Sequence, residues 1–139
     1  MLSPSAAAAS APFIEWLERM DREGRVFLSV VTIHEIKKGI ALLEHKGATA
    51  KAGSLTAWLA GLISAYEDKI IGLDPSGASL SGKAEARAIA AGRNPGMADA
   101  VVAGLAKARD LTVVTRNTKD FLMLGGAALS PDEAARSAS

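Results

Sequence analysis

The chain has no cysteine, which excludes disulfide cross-links and thiolate-bound metal centres and fits a reducing, cytoplasmic setting. Its two histidines, His34 and His45, do not share the i, i+4 spacing of zinc-binding pairs, so both read as solvated helix residues. A formal net charge of +1 offers no global attraction to nucleic acid, and any such contact must rest on a local patch. The longest uncharged interior run, residues 52–66, is shorter than the roughly 20 apolar residues of a membrane span. Residues 1–11 are rich in Ala and Ser, without the basic start and apolar block of a signal peptide, and read as a loop-like N-terminus. No G-x-G-x-x-G or G-x-x-x-x-G-K-[ST] follows a strand pattern, which argues against a nucleotide-binding domain.

What is present is organised around residues 97–121, MADAVVAGLAKARDLTVVTRNTKDF. Val101, Val102 and Leu105 follow helical spacing behind Asp99, and Lys107 and Arg109 suit a helix C-terminus. Residues 111–115 then form a nearly continuous apolar run, the pattern of a strand buried on both faces of a parallel sheet. A length of 139 residues suits one domain. Upstream, Phe13, Ile14, Leu17 and Met20 predict an amphipathic helix beginning at Pro12 and ending at Gly24. Residues 26–31, VFLSVV, predict a second buried strand. Thr32 opens the next helix, with Ile33, Ile36, Ile40 and Leu43 along one stripe. Residues 54–66 form another helix, with Trp58 expected in the core. Residues 69–73 predict a third strand, Asp74-Pro75 a helix entry with Ser76 as a competing cap, and 78–91 an alanine-rich helix. Residues 92–96 are a loop, 127–129 a short edge strand and 131–139 a flexible polar tail.

The acids are the chemistry-bearing residues. Glu35, Asp99 and Asp120 all lie just after or near predicted strand ends, where α/β domains place their sites. Glu35 has a second reading: Thr32 and Glu35 match a T-x-x-E capping box, and one carboxylate cannot serve both purposes fully. A cluster of carboxylates without cysteine or a histidine pair suits Mg²⁺ or Mn²⁺ rather than zinc. Arg116, Lys119 and Arg93 then offer positive charge to a nucleic-acid backbone. From spacing alone the reading stops at an α/β domain with a candidate acidic metal site.

Two blocks take it further. SVVTIHEIKKGI followed by GMADAVVAGLAKARDLTVVTRNTKDF closely resembles the PIN-domain family, and within it the VapC/FitB-like toxins of type II toxin–antitoxin modules, over about residues 10–130. The resemblance implies a PIN-like three-layer sandwich, a mostly parallel sheet with helices on both faces. It implies Mg²⁺- or Mn²⁺-dependent endoribonuclease activity, with Glu35, Asp99 and Asp120 as the acidic site and Asp99 as the foremost ligand. Thr32, Thr115 and Asn117 match supporting positions. A VapB/FitA-like antitoxin and a homodimer are the implied partners. The family also opens with a strand ending in an L-D-T-N-type motif, whereas the first acid here is Glu15, inside the first predicted helix. That departure leads to the expectation that the native chain extends further N-terminally. Its alternative is an inactive PIN-fold protein that binds antitoxin or RNA without cleaving.

Overall fold

The computed structural model describes residues 11–137. The loop expected over residues 1–11 falls, up to residue 10, outside the described residues, and Ala11 already belongs to the first helix. From Ala11 onward the order is α1 (Ala11–Arg22), β1 (Leu28–Ser29), α2 (Val30–His45), α3 (Thr49–Ala65), β2 (Ile70–Ile71), α4 (Pro75–Ala90), α5 (Met97–Ala108), β3 (Val113–Val114), α6 (Thr118–Met123), β4 (Ala128–Leu129) and α7 (Pro131–Ser137). No described helix is long and apolar enough to cross a membrane.

Both strand pairings are parallel, as the apolar runs predict. β1 pairs with β2 in the register Leu28↔Ile70 and Ser29↔Ile71, and β3 with β4 in the register Val113↔Ala128 and Val114↔Leu129. The expectation of one continuous sheet is corrected among the described residues, where the strands form two separate two-stranded sheets. The strands are also shorter than predicted. In the VFLSVV run only Leu28 and Ser29 are extended, because the Ser29 hydroxyl accepts the Thr32 amide at 3.1 Å and starts α2 at Val30. Placing two valines in a helix costs about 1 kcal/mol in total. A serine cap contributes about as much, and the fully buried Ser29 hydroxyl would cost a further 1–3 kcal/mol, roughly, if left unpaired. The cap wins.

Helix ends follow local chemistry. Gly24, at φ 70°, closes α1 with Gly24 N–H donating to Asp21 and Arg25 N–H to Met20, the paired bonds of a Schellman motif. The same pair of bonds ends α5, where Asp110 N–H reaches Lys107 and Leu111 N–H reaches Ala106. There Asp110 holds φ 54°, at a cost of roughly 1 kcal/mol that glycine would avoid. Asp74 caps α4 as expected, accepting the Gly77 amide at 2.7 Å, with Pro75 in the first turn and Ser76 left out of the cap. Burial and a hydrogen bond to Asp21 push the Tyr66 hydroxyl up to about 12, tying the end of α3 to α1.

The main core is built on α5. Sequence spacing predicts one apolar stripe, but residues 100–106 are all buried, as befits a helix that is apolar all round. Its closest partner is α4, approached through small residues. A Cβ built on Gly104 would lie 2.6 Å from the Gly77 carbonyl oxygen and from Ser81. A second cluster joins Ile40 of α2 to Ala52 and Leu59 of α3. Trp58 is not part of it. Ala52, Leu55, Leu59 and Leu62 make the inward stripe, and Trp58, one position off that stripe, is 51% exposed. The expected tail is likewise corrected. Ser130 and Glu133 form a reciprocal capping box, at 3.0 and 3.1 Å, and hydrogen bonding from Ser130, its backbone N–H first, holds the Glu133 carboxyl below its usual range. The helix they start buries Ala134 against Phe13 of α1 and Val114 of β3.

Candidate active site

Three first or second helical turns supply the acids. Asp99 is the third residue of α5, Asp120 the third residue of α6, and Glu35 lies in the second turn of α2. The N-terminal end of a helix favours a carboxylate by 0.3–1 kcal/mol, roughly, which by itself would lower the pKa of Asp99. The net shift is upward: burial raises the Asp99 carboxyl above its ordinary range, and the charges of Asp120 and then Glu35 raise it further. The same fact shows that the three acids, 64 and 21 residues apart in sequence, share one electrostatic neighbourhood.

The proposed Thr32–Glu35 capping box is corrected. Ser29 is the cap, and Thr32, buried, sits with its hydroxyl 3.2 Å from that of Ser29. Freed from capping, Glu35 pairs with Lys38 at 2.7 Å. Thr115 is fully buried at the end of β3, where its hydroxyl accepts the Asn117 amide at 3.0 Å. That bond bends the chain from strand into α6 and so presents Asp120. Asn117 occupies the N-cap position of α6, but its side chain makes no capping bond. Arg116 and Lys119 are exposed in the same turn as Asp120, and Arg93 is exposed in the loop before α5.

Beside the acids lies an open recess of about 510 Å³ between α2 and α5, lined by Val30, Val31, His34, Glu35, Met97, Ala98 and Val101. Sequence reading treated His34 as a plain solvated residue and passed over Met97, which is 71% exposed. The available signal was the matching i, i+4 pairs, Val30 with His34 and Met97 with Val101.

Oxygen donors that repel one another suit a hard divalent cation, whose charge would relieve the pressure on Asp99. Among the described residues no group of three or more His, Asp or Glu side chains is arranged to hold an ion alone. Magnesium is commonly held by one or two carboxylates together with substrate phosphates and retained water, so this open arrangement fits it better than it fits calcium or zinc.

The chain is 28% identical over 132 residues to the plasmid stability protein StbB of Pseudomonas syringae pv. tomato, covering 94% of this chain and 92% of that protein. Its fold matches the crystal structure of FitAcB from Neisseria gonorrhoeae with a TM-score of 0.79 at 26% identity, over 94% of this chain and 96% of that one. It also matches the structure of FitAB bound to an IR36 DNA fragment, with a TM-score of 0.75 at 25% identity, over 94% and 93% of the two chains. The model of the PIN domain matches residues 6–124, and the chain therefore belongs to the PIN-domain family, with its α/β sandwich fold.

Proposed function

We propose that this PIN-domain protein is a metal-dependent endoribonuclease toxin that hydrolyses RNA phosphodiester bonds and is neutralised by a cognate VapB/FitA-like antitoxin. The observation behind the reading is the upward shift of Asp99 by burial and by two further acids, since such shifts cluster at functional sites. Asp99, Asp120 and Glu35 would hold Mg²⁺ or Mn²⁺, and a bound ion supplies Lewis-acid polarisation of a phosphate oxygen. The protein's own contribution is placement. Thr115 fixes the turn that presents Asp120, Thr32 and Ser29 fix the start of the helix bearing Glu35, and Asn117 lines the same turn. Arg116, Lys119 and Arg93 would contact the RNA backbone, where they position substrate without reading its sequence. The homologous plasmid stability protein and the FitAB complexes support a two-component module, and we place the toxin in the cytoplasm as a homodimer.

A direct test compares RNA cleavage in Mg²⁺ or Mn²⁺ with cleavage in EDTA, for the wild type and for Asp99→Asn. Outer-shell substitutions in metal sites typically cost about 10–100-fold, so loss of a direct ligand is expected to exceed roughly a hundredfold while the helical circular-dichroism signal persists. Equal activity in EDTA, or full activity of the variant, would overturn the reading. The absence of a closed three-residue ligand set among the described residues favours a second reading, a non-cleaving binder of antitoxin or RNA. In that case neither protein cuts RNA and both retain the partner.

A further inference from the structure

We infer that the recess between α2 and α5 is a nucleobase subsite, in which His34 and Met97 select the base next to the phosphate to be cut. The inference rests on the nuclease reading above, because its location draws meaning from the acids beside it. The recess reaches the acids through its lining: Glu35 forms one wall, and Met97 and Ala98, the two residues before Asp99 on α5, form another. With a phosphate at the acids, the base of the same or the adjacent nucleotide is the part of an RNA chain within reach of the recess.

The lining chemistry selects among the parts of a nucleotide. A phosphate would meet the Glu35 carboxylate and mostly apolar walls, and would be repelled. A ribose would leave its hydroxyls facing Val30 and Val101 without partners. A base has an apolar face for the two valines, a flat π surface for the polarisable Met97 thioether, and polar edge atoms for the His34 imidazole, which both donates and accepts. The volume of about 510 Å³ lies within the range of small-ligand sites and exceeds what an aliphatic side chain fills. An aliphatic side chain of a protein partner would also leave the His34 ring nitrogens unused. His34 and Met97 are both exposed on their helices, so truncating them should not disturb the core.

The experiment uses a fluorescent oligoribonucleotide carrying each of the sixteen dinucleotide steps at one position, together with versions having an abasic ribose on either side. Binding is read by anisotropy in EDTA, and cleavage in parallel with Mg²⁺ or Mn²⁺. Base stacking typically contributes enough for the wild type to prefer its best step over the abasic version by about five- to tenfold. His34→Ala and Met97→Ser are each expected to reduce that ratio to below about twofold. Wild-type binding that ignores the abasic replacement, or variants that keep the full preference, would overturn the subsite. Base-dependent binding without wild-type cleavage would remove the nuclease reading and leave the subsite standing. Cleavage with an unchanged step preference in both variants would do the reverse. Variants that lose the antitoxin but keep base discrimination would assign the recess to a protein side chain and overturn the proposal.

Discussion

Asp99 sits where its charge is unwelcome. Its carboxyl is raised by burial, by Asp120 and by Glu35, so the folded state binds its proton more tightly than the unfolded chain does. The stability contributed by that proton is complete below the unfolded value of 3.8 and is lost as pH rises through the higher folded value. At neutral pH the ionised group opposes folding. Asp99→Asn should therefore raise the melting temperature at pH 7 by roughly 1–3 °C, a modest gain because the group is only partly shielded from water. The difference should vanish near pH 3. A variant that melts lower at pH 7 would show that the carboxylate has a stabilising partner instead. Addition of Mg²⁺ at ten times its dissociation constant should stabilise the wild type by about 1.4 kcal/mol and leave Asp99→Asn unmoved. That Glu35, Asp99 and Asp120 belong to one neighbourhood was suggested by their places after or near strand patterns. The helix cap was not, because the T-x-x-E match at Thr32 hid Ser29, whose own match to Thr32 lacks the acidic third residue.

Among the elements, α4 and α5 make the tightest pairing. The Cβ of an alanine at position 104 would meet a carbonyl oxygen, a backbone nitrogen and the Ser81 Cβ, all at 2.6 Å. None of these is the end of a flexible chain, so the helices would have to separate. Gly104→Ala is expected to cost about 1–3 kcal/mol, read as a lower urea midpoint at unchanged slope. A neutral result would mean that α5 can slide along α4, and the placement of Asp99 would then be far less fixed. The sequence showed α5 as a helix with one apolar stripe, since Val101, Val102 and Leu105 dominate the pattern. Its burial on every side depends on alanines and Gly104, which periodicity weighs lightly. The opposite error occurred at α7. There S-P-D-E offered a serine cap, a first-turn proline and a third-position glutamate, a complete start signal overshadowed by the polar residues that follow.

For the molecule as a whole, the two chain-distant helices α1 and α7 close over one end of the β3–β4 sheet. Phe13, Val114 and Ala134 form that contact, and Trp16 stacks on Phe13 with ring centroids 5.6 Å apart. Removing residues 131–139 would uncover a phenylalanine and a valine, each contributing about 1.5–3 kcal/mol when fully buried. A chain ending at Ser130 should lose roughly 3 kcal/mol or more in urea unfolding, and unchanged stability would show that α7 is only laid against the surface. Element order and parallel pairing were readable from apolar runs and helical spacing. The division into two small sheets among the described residues was not, because pairing partners such as Leu28 and Ile70, or Val113 and Ala128, are decided by packing between distant segments. No local pattern encodes that choice.

The seam of small residues between α4 and α5 also has an entropic side. Alanine and glycine side chains have no rotamers to lose on burial, so joining α4 to α5 incurs little side-chain ordering cost, while glycine makes its backbone dearer to fix. A seam of that kind has no internal freedom with which to absorb change. Elsewhere in the core a leucine or methionine can turn to accommodate a neighbour; at Gly77 and Gly104 there is no side chain to turn. Sequence drift along that seam is therefore confined to substitutions that add no atoms, and the spacing of the two helices is inherited with it.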